Sequence, residues 1–422
     1  TNLYTLDYTE SQLPVSLNRY AVWTATTHNS WINLSETRGQ GCHGPILSVS
    51  SNTSNEWREG YVTITNCYGS TQKIQIRQQP KIHTLPVVFH IVCDATSRTQ
   101  NLNMNHCQAL LDSINHRYQY MPQYTLQGHF INYCDANIRL CLAGKTPDGQ
   151  TTNGVIIEDV ANAYRNGREF LMSTDAADRA MVWPQDQYIN IFIFEFSSDD
   201  TATGWSNYAY LRSNINEQYL GYFYTLSDDT PISAIPSLHS IAINARHMFD
   251  SKNMPIVSSD IVDTTIHELG HYFGLYHVFN DGRGPSGDDA VDDTPNYDRS
   301  MYIDYYKSFI TAYSHYLGGD CSTFGDVTAL ELAKDQLSWR IPYGSASAYS
   351  IFSHSADAFC STNIMDYYMR ESVPVGFSTG QIARMRYAIA HSPTVPHDVT
   401  MTRGCISTFK GVDSSIVVGI TQ

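Results

Sequence analysis

His267-Glu268-Leu269-Gly270-His271-Tyr272-Phe273-Gly274-Leu275-Tyr276-His277 decides how the rest of this chain is read. At 3.6 residues per turn, positions i and i+4 of a helix differ by only about 40° around its axis, so His267 and His271 project from one face and can share a metal ion. Glu268 stands beside the first of them and reaches a water on that ion instead of the ion itself. Gly274 follows three residues after His271. Glycine lets a chain leave a helix through a left-handed conformation, which swings His277 back toward the same point. Three neutral nitrogen ligands leave the fourth tetrahedral position of zinc open, the arrangement of a catalytic site and not of a structural one. Zinc so held brings the pKa of its water to about 7, and Glu268 is the natural general base for that water and then the proton donor to a leaving amine. A lone His-Glu-x-x-His arises by chance on ordinary helices, and a histidine is more often a surface or hydrogen-bonded residue than a ligand. The eleven-residue pattern fixes five positions, four of them filled by residue types that are rare or modest in average composition, so chance explains it poorly.

Working outward, Ile261 to Tyr272 reads as the helix that carries this motif, with Ser258 or Ser259 as its cap. Upstream, Pro86 to Cys93 has the composition of a buried strand, and Cys107, Leu110, Leu111, Ile114 and Tyr118 recur at helical spacing. Ile138, Leu140 and Leu142 alternate as in a strand, as do Ile189, Ile191 and Ile193. Downstream, Ser378 and Gln381 form a capping box ahead of Ile382, Met385 and Ile389, a helix stopped by Pro393. Strands and helices mixed in this order indicate an α/β or α+β domain of about 340 residues. Between residues 40 and 80 the period is two instead. Val62 and Ile64, then Ile74 and Ile76, share faces of two strands joined at Tyr68-Gly69-Ser70, an antiparallel hairpin in a small all-β module, and Gln79-Pro80-Lys81 reads as a linker.

Composition narrows the partners. The 422 residues include 26 Lys and Arg against 41 Asp and Glu, a net charge of −15, which argues against nucleic acid and anionic membranes because both require clustered cations. Charged residues make up 16% of the chain, below the usual level of about 25%, so polar uncharged residues must cover the surface, a hint of an extracellular setting. No apolar run approaches the roughly 18 to 20 residues that span a bilayer. No signal segment is visible, and a start at Thr1 instead of Met is what prior removal of one would leave. Nine cysteines with no Cys-x-x-Cys pair fit either a few disulfides or buried thiols, and the odd count leaves at least one unpaired within the chain.

The motif His267 to His277 resembles that of the metzincin metallopeptidases, and its surroundings resemble the pappalysin family in particular. Asp289-Ala290-Val291-Asp292-Asp293-Thr294-Pro295 matches the acidic loop that follows the zinc helix there, Asn363-Ile364-Met365-Asp366-Tyr367 matches a later motif, and Phe377-Ser378-Thr379-Gly380-Gln381 matches a helix start loosely. The likeness spans about residues 83 to 392. It implies a metzincin-type fold with a mixed twisted sheet and an active-site helix. It also implies zinc on His267, His271 and His277, Glu268 as base, and Met365 in a tight turn forming an apolar floor beneath the metal. Tyr367 would be the tyrosine whose phenol stabilises a tetrahedral oxyanion; its bland alternative is a packed aromatic.

Four carboxylates fall between Asp288 and Asp293, and oxygen-rich loops suit calcium. The resemblance points to Asp289 and Thr294 as calcium ligands, with a solvated charge run as the alternative; Asp288 replaces the family's glycine. Members that cut beside basic residues place an acidic residue just before the final helix, where this chain has Pro374, Val375 and Gly376, so that preference does not carry over. Cys321 and Cys360 are a candidate pair. Residues 1–80 resemble a BACON-type β-sandwich, on Trp57-Arg58-Glu59-Gly60, the Val62/Ile64 strand and Ile74-Gln75-Ile76-Arg77-Gln78-Gln79-Pro80, implying either a glycan contact or a spacer.

The expectation is therefore an α+β chain, a small β-sandwich over 1–80 followed by a catalytic domain over 81–422. It acts on proteins or peptides as a zinc endopeptidase, with calcium as a further ion, and is secreted or held at the cell surface or in a periplasm. The rival expectation is a glycan-binding or adhesive surface protein with a vestigial peptidase domain. An intact Glu268 tells against it.

Overall fold

A computed structural model describes residues 2–54, 56–124, 130–214, 223–235, 237–279, 289–294, 362–367, 375–396 and 416–418. The fold is α+β, with strands outnumbering helices among the described residues. It divides into two units, Thr1–Ile82 together with Ile406–Gln422, and His83–Cys405.

The first unit contains β1 (Asn2–Leu6), β2 (Ser11–Thr27), β3 (Ile32–Leu34), β4 (Arg38–Val49), β5 (Arg58–Asn66) and β6 (Thr71–Gln78), hydrogen-bonded in the order β1-β6-β5-β2-β4-β3. Strands β5 and β6 are the hairpin read from the sequence, pairing antiparallel from Arg58↔Gln78 to Thr65↔Thr71. The reversal needs a left-handed residue, and Gly69 supplies it at φ 85°. One apolar core runs beneath these strands, with Trp23, Leu47, Val62, Ile64, Ile74 and Ile76 all buried in it. Residues 416–418, expected within the catalytic segment 81–422, instead add a strand parallel to β2, from Ile416↔Val15 to Val418↔Leu17. The reason lies in β2. It pairs with β5 only from Trp23 to Thr27, so its edge at Val15–Leu17 is left with open backbone groups, and an open edge recruits a strand.

The second unit is built on β7 (His83–Cys93). Its neighbours are α1 (Met104–Gln119), β8 (Met121–Tyr124), β9 (Phe130–Cys134), β10 (Ile138–Leu142), β11 (Val155–Asp159), α2 (Gly167–Leu171), α3 (Ala176–Met181), β12 (Ile189–Phe194), β13 (Gly204–Ser206), β14 (Tyr210–Arg212), β15 (Tyr224–Leu226), β16 (Ile241–Asn244), α4 (Ser259–Tyr272) and α5 (Thr379–His391). The main sheet runs β10-β7-β12-β16-β13, with β11 also on β7; every pairing is parallel except β13 with β16. Helix α1 buries Cys107, Leu110, Leu111, Ile114 and Tyr118, the five residues whose spacing marks its inner face. In β12, alternation of Ile189, Ile191 and Ile193 suggests one buried face, but all six residues are buried. The isoleucines join the core shared with α1, α4 and α5, and Phe192 and Phe194 join a second core with Phe170 and Phe196 on the opposite face. A parallel sheet covered on both sides buries both faces of its central strand. Cys141 is in a disulfide, while Cys42, Cys67, Cys93, Cys107 and Cys134 are free thiols. The candidate pair Cys321 and Cys360 lies outside the described residues.

Ahead of β16, His239 is fully buried with a left-handed backbone at φ 42°. Its Nε2 lies 3.1 Å from the Tyr208 carbonyl oxygen, to which an N–H there would donate, and its ring packs edge-on against Tyr272. Burial pushes its pKa down to about 4, so the folded chain keeps this imidazole neutral where an unfolded chain, titrating near about 6.5, takes up a proton. Stability from this residue is therefore whole above pH 6.5 and is lost as pH falls toward 4. Going from pH 7 to 5, His239 should account for a loss of about 2 kcal/mol. The substitution His239→Asn, which tolerates the same backbone, should remove that part of the slope in urea unfolding measured at the two pH values. An unchanged slope would contradict the assignment.

Candidate metal centre and its surroundings

Helix α4 starts where Ser258 Oγ accepts the Ile261 N–H and ends in a turn that aims the third histidine. The Leu275 N–H donates to the Gly270 carbonyl at 2.9 Å and the Gly274 N–H to His271 at 2.8 Å, with Gly274 at φ 90°. This pair of bonds satisfies the last helical carbonyls and requires a left-handed residue at its centre. A side chain at Gly274 would also strike Phe223. Arg384 of α5 closes the turn from outside, its Nε–H donating to the Gly274 carbonyl at 2.8 Å while its guanidinium lies over Phe223.

The result is a cluster of His267, His271 and His277 with ligand atoms all within 4.8 Å of one another. The Nε2 of His277 lies 3.3 Å from that of His267 and 3.1 Å from that of His271. Zinc with bonds of about 2.0–2.1 Å in a tetrahedral site places its ligand atoms about 3.3 Å apart, so the imidazoles fit the ion. The opposite ring nitrogens are tied to backbone. His267 Nδ1–H donates to the Ile364 carbonyl at 2.6 Å and His271 Nδ1–H to the Leu275 carbonyl at 2.8 Å. These bonds leave the Nε2 lone pairs directed inward. Burial, with His277 beside it, pushes His267 down to about 3, which keeps it in the neutral, ligating form at pH 7.

Glu268 is buried against β13. A Cβ on Gly204 would lie 2.7 Å from Glu268 Cγ and 3.0 Å from its Oε1, so the missing side chain at Gly204 is the space the carboxylate occupies. Met365 is fully buried beneath the same helix, where a Cβ on Gly270 would meet its Sδ at 2.5 Å. Its turn is pinned from both sides: the Met365 N–H donates to Asn363 Oδ1 at 2.9 Å, and Asn363 exchanges hydrogen bonds with Gln381 of the capping box that opens α5. Tyr367 is half exposed, with its ring 4.6 Å from that of His277 and 5.9 Å from that of His267.

The acidic loop divides. Asp289 and Thr294 are buried together, Thr294 Oγ lying 2.9 and 2.8 Å from the two Asp289 oxygens and 2.8 Å from the Val291 carbonyl. Asp293 turns the other way and accepts from Ser378 Oγ at 2.6 Å and from the Gly380 N–H at 2.9 Å, at the first turn of α5. Asp288 and Pro374 lie outside the described residues.

Residues 173–317 match the model of the peptidase family described as pregnancy-associated plasma protein-A. Over this segment the chain is similar to the pappalysin peptidases. Curated relatives named extracellular metalloprotease, from Arthroderma benhamiae and Trichophyton verrucosum, are each 62% identical over 34 residues, which is 8% of this chain and 12% of theirs. The chain thus spans about an eighth of the length of those relatives. Mature mirolysin of Tannerella forsythia, solved with a cleaved peptide, is 17% identical with a TM-score of 0.44, covering 74% of this chain and 94% of its own.

The matched segment includes the three histidines, Glu268 and Gly204, whereas Met365, Tyr367 and α5 lie beyond it. Gly204 and Tyr208, whose ring packs 5.0 Å from His271, carry no sequence signal, since neither sits in a motif. Gly204→Ala should push Glu268 aside without touching a ligand. Metal analysis should still find one zinc per chain, while peptide turnover falls about tenfold to a hundredfold, the usual scale for a displaced catalytic group. Full turnover in this variant would mean that Glu268 has room to spare.

Proposed function

We propose that the chain is a zinc-dependent endopeptidase acting on proteins or peptides. The observation that carries this reading is the convergence of three imidazoles, two of them tied to backbone carbonyls, beside a buried carboxylate. His267, His271 and His277 would hold the zinc, which when bound supplies Lewis acidity and lowers the pKa of water. Glu268 takes the proton of the attacking water and passes it to the leaving amine; its confinement by Gly204 keeps one carboxylate oxygen oriented for both transfers. Tyr367, half exposed and beside His277, would donate a hydrogen bond from its phenol to the oxygen on which charge develops, and its nearness to His277 supports that role. Met365 floors the site beneath Gly270.

We assign calcium to the loop around Asp289 and Thr294. The support is chemical: the two Asp289 carboxylate oxygens and the Val291 carbonyl gather within 2.9 Å of the buried Thr294 hydroxyl, oxygen ligands of the kind a hard cation suits. Secretion or display at a surface is supported by the disulfide at Cys141, which persists in oxidising compartments, and by the likeness of a short segment to extracellular metalloproteases. No described helix is long and apolar enough to cross a membrane. We read the N-terminal unit as a BACON-type spacer rather than a glycan binder. Cations already stack on its aromatic rings, Arg58 on Trp31, Lys73 on Tyr61 and Arg77 on Trp57, and a sugar would have to displace them or use the opposite face. The adhesive alternative leaves the enclosed Glu268 without a task.

Digestion of a denatured protein mixture tests the assignment. Glu268→Ala should retain zinc and lose at least about a thousandfold in kcat, and Tyr367→Phe should lose about tenfold to a hundredfold in kcat with little change in KM. Equal cleavage by Glu268→Ala, or none by zinc-loaded wild type, would refute the peptidase reading. For calcium, millimolar ion should raise the Tm of wild type and leave that of Asp289→Ala unmoved; a flat response in wild type removes the ion from the account.

A further inference from the structure

On the His271 side of the triad, a cavity of about 400 Å³ opens between α2, β13 and the β14–β15 pair, a volume in the range of sites that bind organic ligands. Its walls are aromatic, with Trp205, Tyr208, Tyr210 and Tyr224 contributing rings, Ser237 lying among them, and the exposed Arg168 also lining it. It adjoins the metal centre, for Tyr208 packs on His271 and Trp205 follows Gly204, the residue against Glu268. Trp205 is fixed by its indole N–H, which donates to Asp200 at 3.1 Å. The Ser237 hydroxyl is buried, at 3% exposure, and has no hydrogen-bond partner. A hydroxyl withdrawn from water and left unpaired is costly, and one lining a cavity is relieved by a ligand that brings a polar atom to it.

We propose that this cavity is a substrate subsite for an aromatic side chain with a polar tip, tyrosine in the first place, located N-terminal to the bond that is cut. The proposal rests on the peptidase reading. The rings of the wall take an aromatic face or edge, Ser237 takes the phenol, and the Arg168 guanidinium disfavours Lys and Arg. The N-terminal side follows from the strand. Among the described residues β13 is the edge strand, antiparallel to β16, and a peptide added antiparallel along its outer edge would place its cut bond near Gly204 and Glu268. Its preceding residues would then lie along Trp205 to Tyr208.

Two measurements test this separately from catalysis. Calorimetry on zinc-loaded Glu268→Ala with capped peptides Ac-Ala-Xaa-Ala-Ala-NH2 should find Xaa = Tyr bound about tenfold more tightly than Lys and about threefold more tightly than Phe. Adding Ser237→Ala should bring Tyr and Phe within about twofold, Ser237→Leu should level the series by filling the cavity, and the surface change Arg168→Glu, which does not threaten folding, should narrow the Tyr–Lys gap. Terminal sequencing of wild-type products should find aromatic residues enriched on the N-terminal side of the cut. Affinities for Tyr and Lys within twofold, or a preference unmoved by all three substitutions, would overturn the subsite. Tyrosine-selective binding without any cleavage would leave the subsite standing and remove the peptidase reading; cleavage without an N-terminal aromatic preference would do the reverse.

Discussion

Three neutral imidazoles can point their lone pairs at one small volume only if something holds the rest of each ring, because lone pairs at about 3 Å repel. In this chain the holding groups are backbone carbonyls. Ile364 ties His267 and Leu275 ties His271, while Phe279 stacks face to face on His277 at 4.6 Å. Neither carbonyl is free to move. That of Leu275 follows directly on the glycine turn that ends α4, and that of Ile364 belongs to the turn pinned by Asn363 to α5. Arg384 then joins α5 back to the first turn through the Gly274 carbonyl. Helices α4 and α5 and the turn at residues 363–365 are thus obliged to meet by the geometry of three nitrogens.

The same requirement governs where small residues fall. Gly270 admits Met365 under the helix, Gly274 supplies the left-handed turn beside Phe223, and Gly204 leaves room for Glu268. In each case the absent side chain is a volume that another group fills, so an added methyl acts on the neighbour and not on the glycine itself. Packed interiors leave few voids to absorb such a change. This is why a residue on β13, far from the motif in sequence, bears on the orientation of the carboxylate.

Much of this was legible in the sequence, and the limits have physical causes. The helical face of α1, the caps at Ser258 and Ser378 and the hairpin around Gly69 are local, set by periodicity, side-chain acceptors and backbone sterics within a few residues. The histidine cluster was legible because helix geometry and one glycine place all three rings. Gly204 was not, since the reason for it is a contact with Glu268, 64 positions later, and a glycine preceding a tryptophan carries no pattern. The period-two reading of β12 named its inner isoleucines and missed that the intervening phenylalanines are equally buried, because alternation reports chemistry and Phe is apolar on either face. The strand at 416–418 escaped for a similar reason: what recruits it is an open edge of β2, a property of the assembled sheet.

The acidic loop shows how far a charge run can mislead when it is treated as one object. Its carboxylates do different work. Asp289 faces inward to Thr294 and the Val291 N–H, in a cluster of oxygens, while Asp293 faces α5, where a negative group meets the unpaired N–H groups and the positive end of the helix dipole. Gly380 has no side chain because Asp293 lies where its Cβ would be, at 2.6 Å. A carboxylate so engaged has donors of its own and has no need of an ion. The case for a cation therefore narrows from a run of four acids to the one buried group of oxygens among the described loop residues, Asp289 with Thr294 and the Val291 carbonyl.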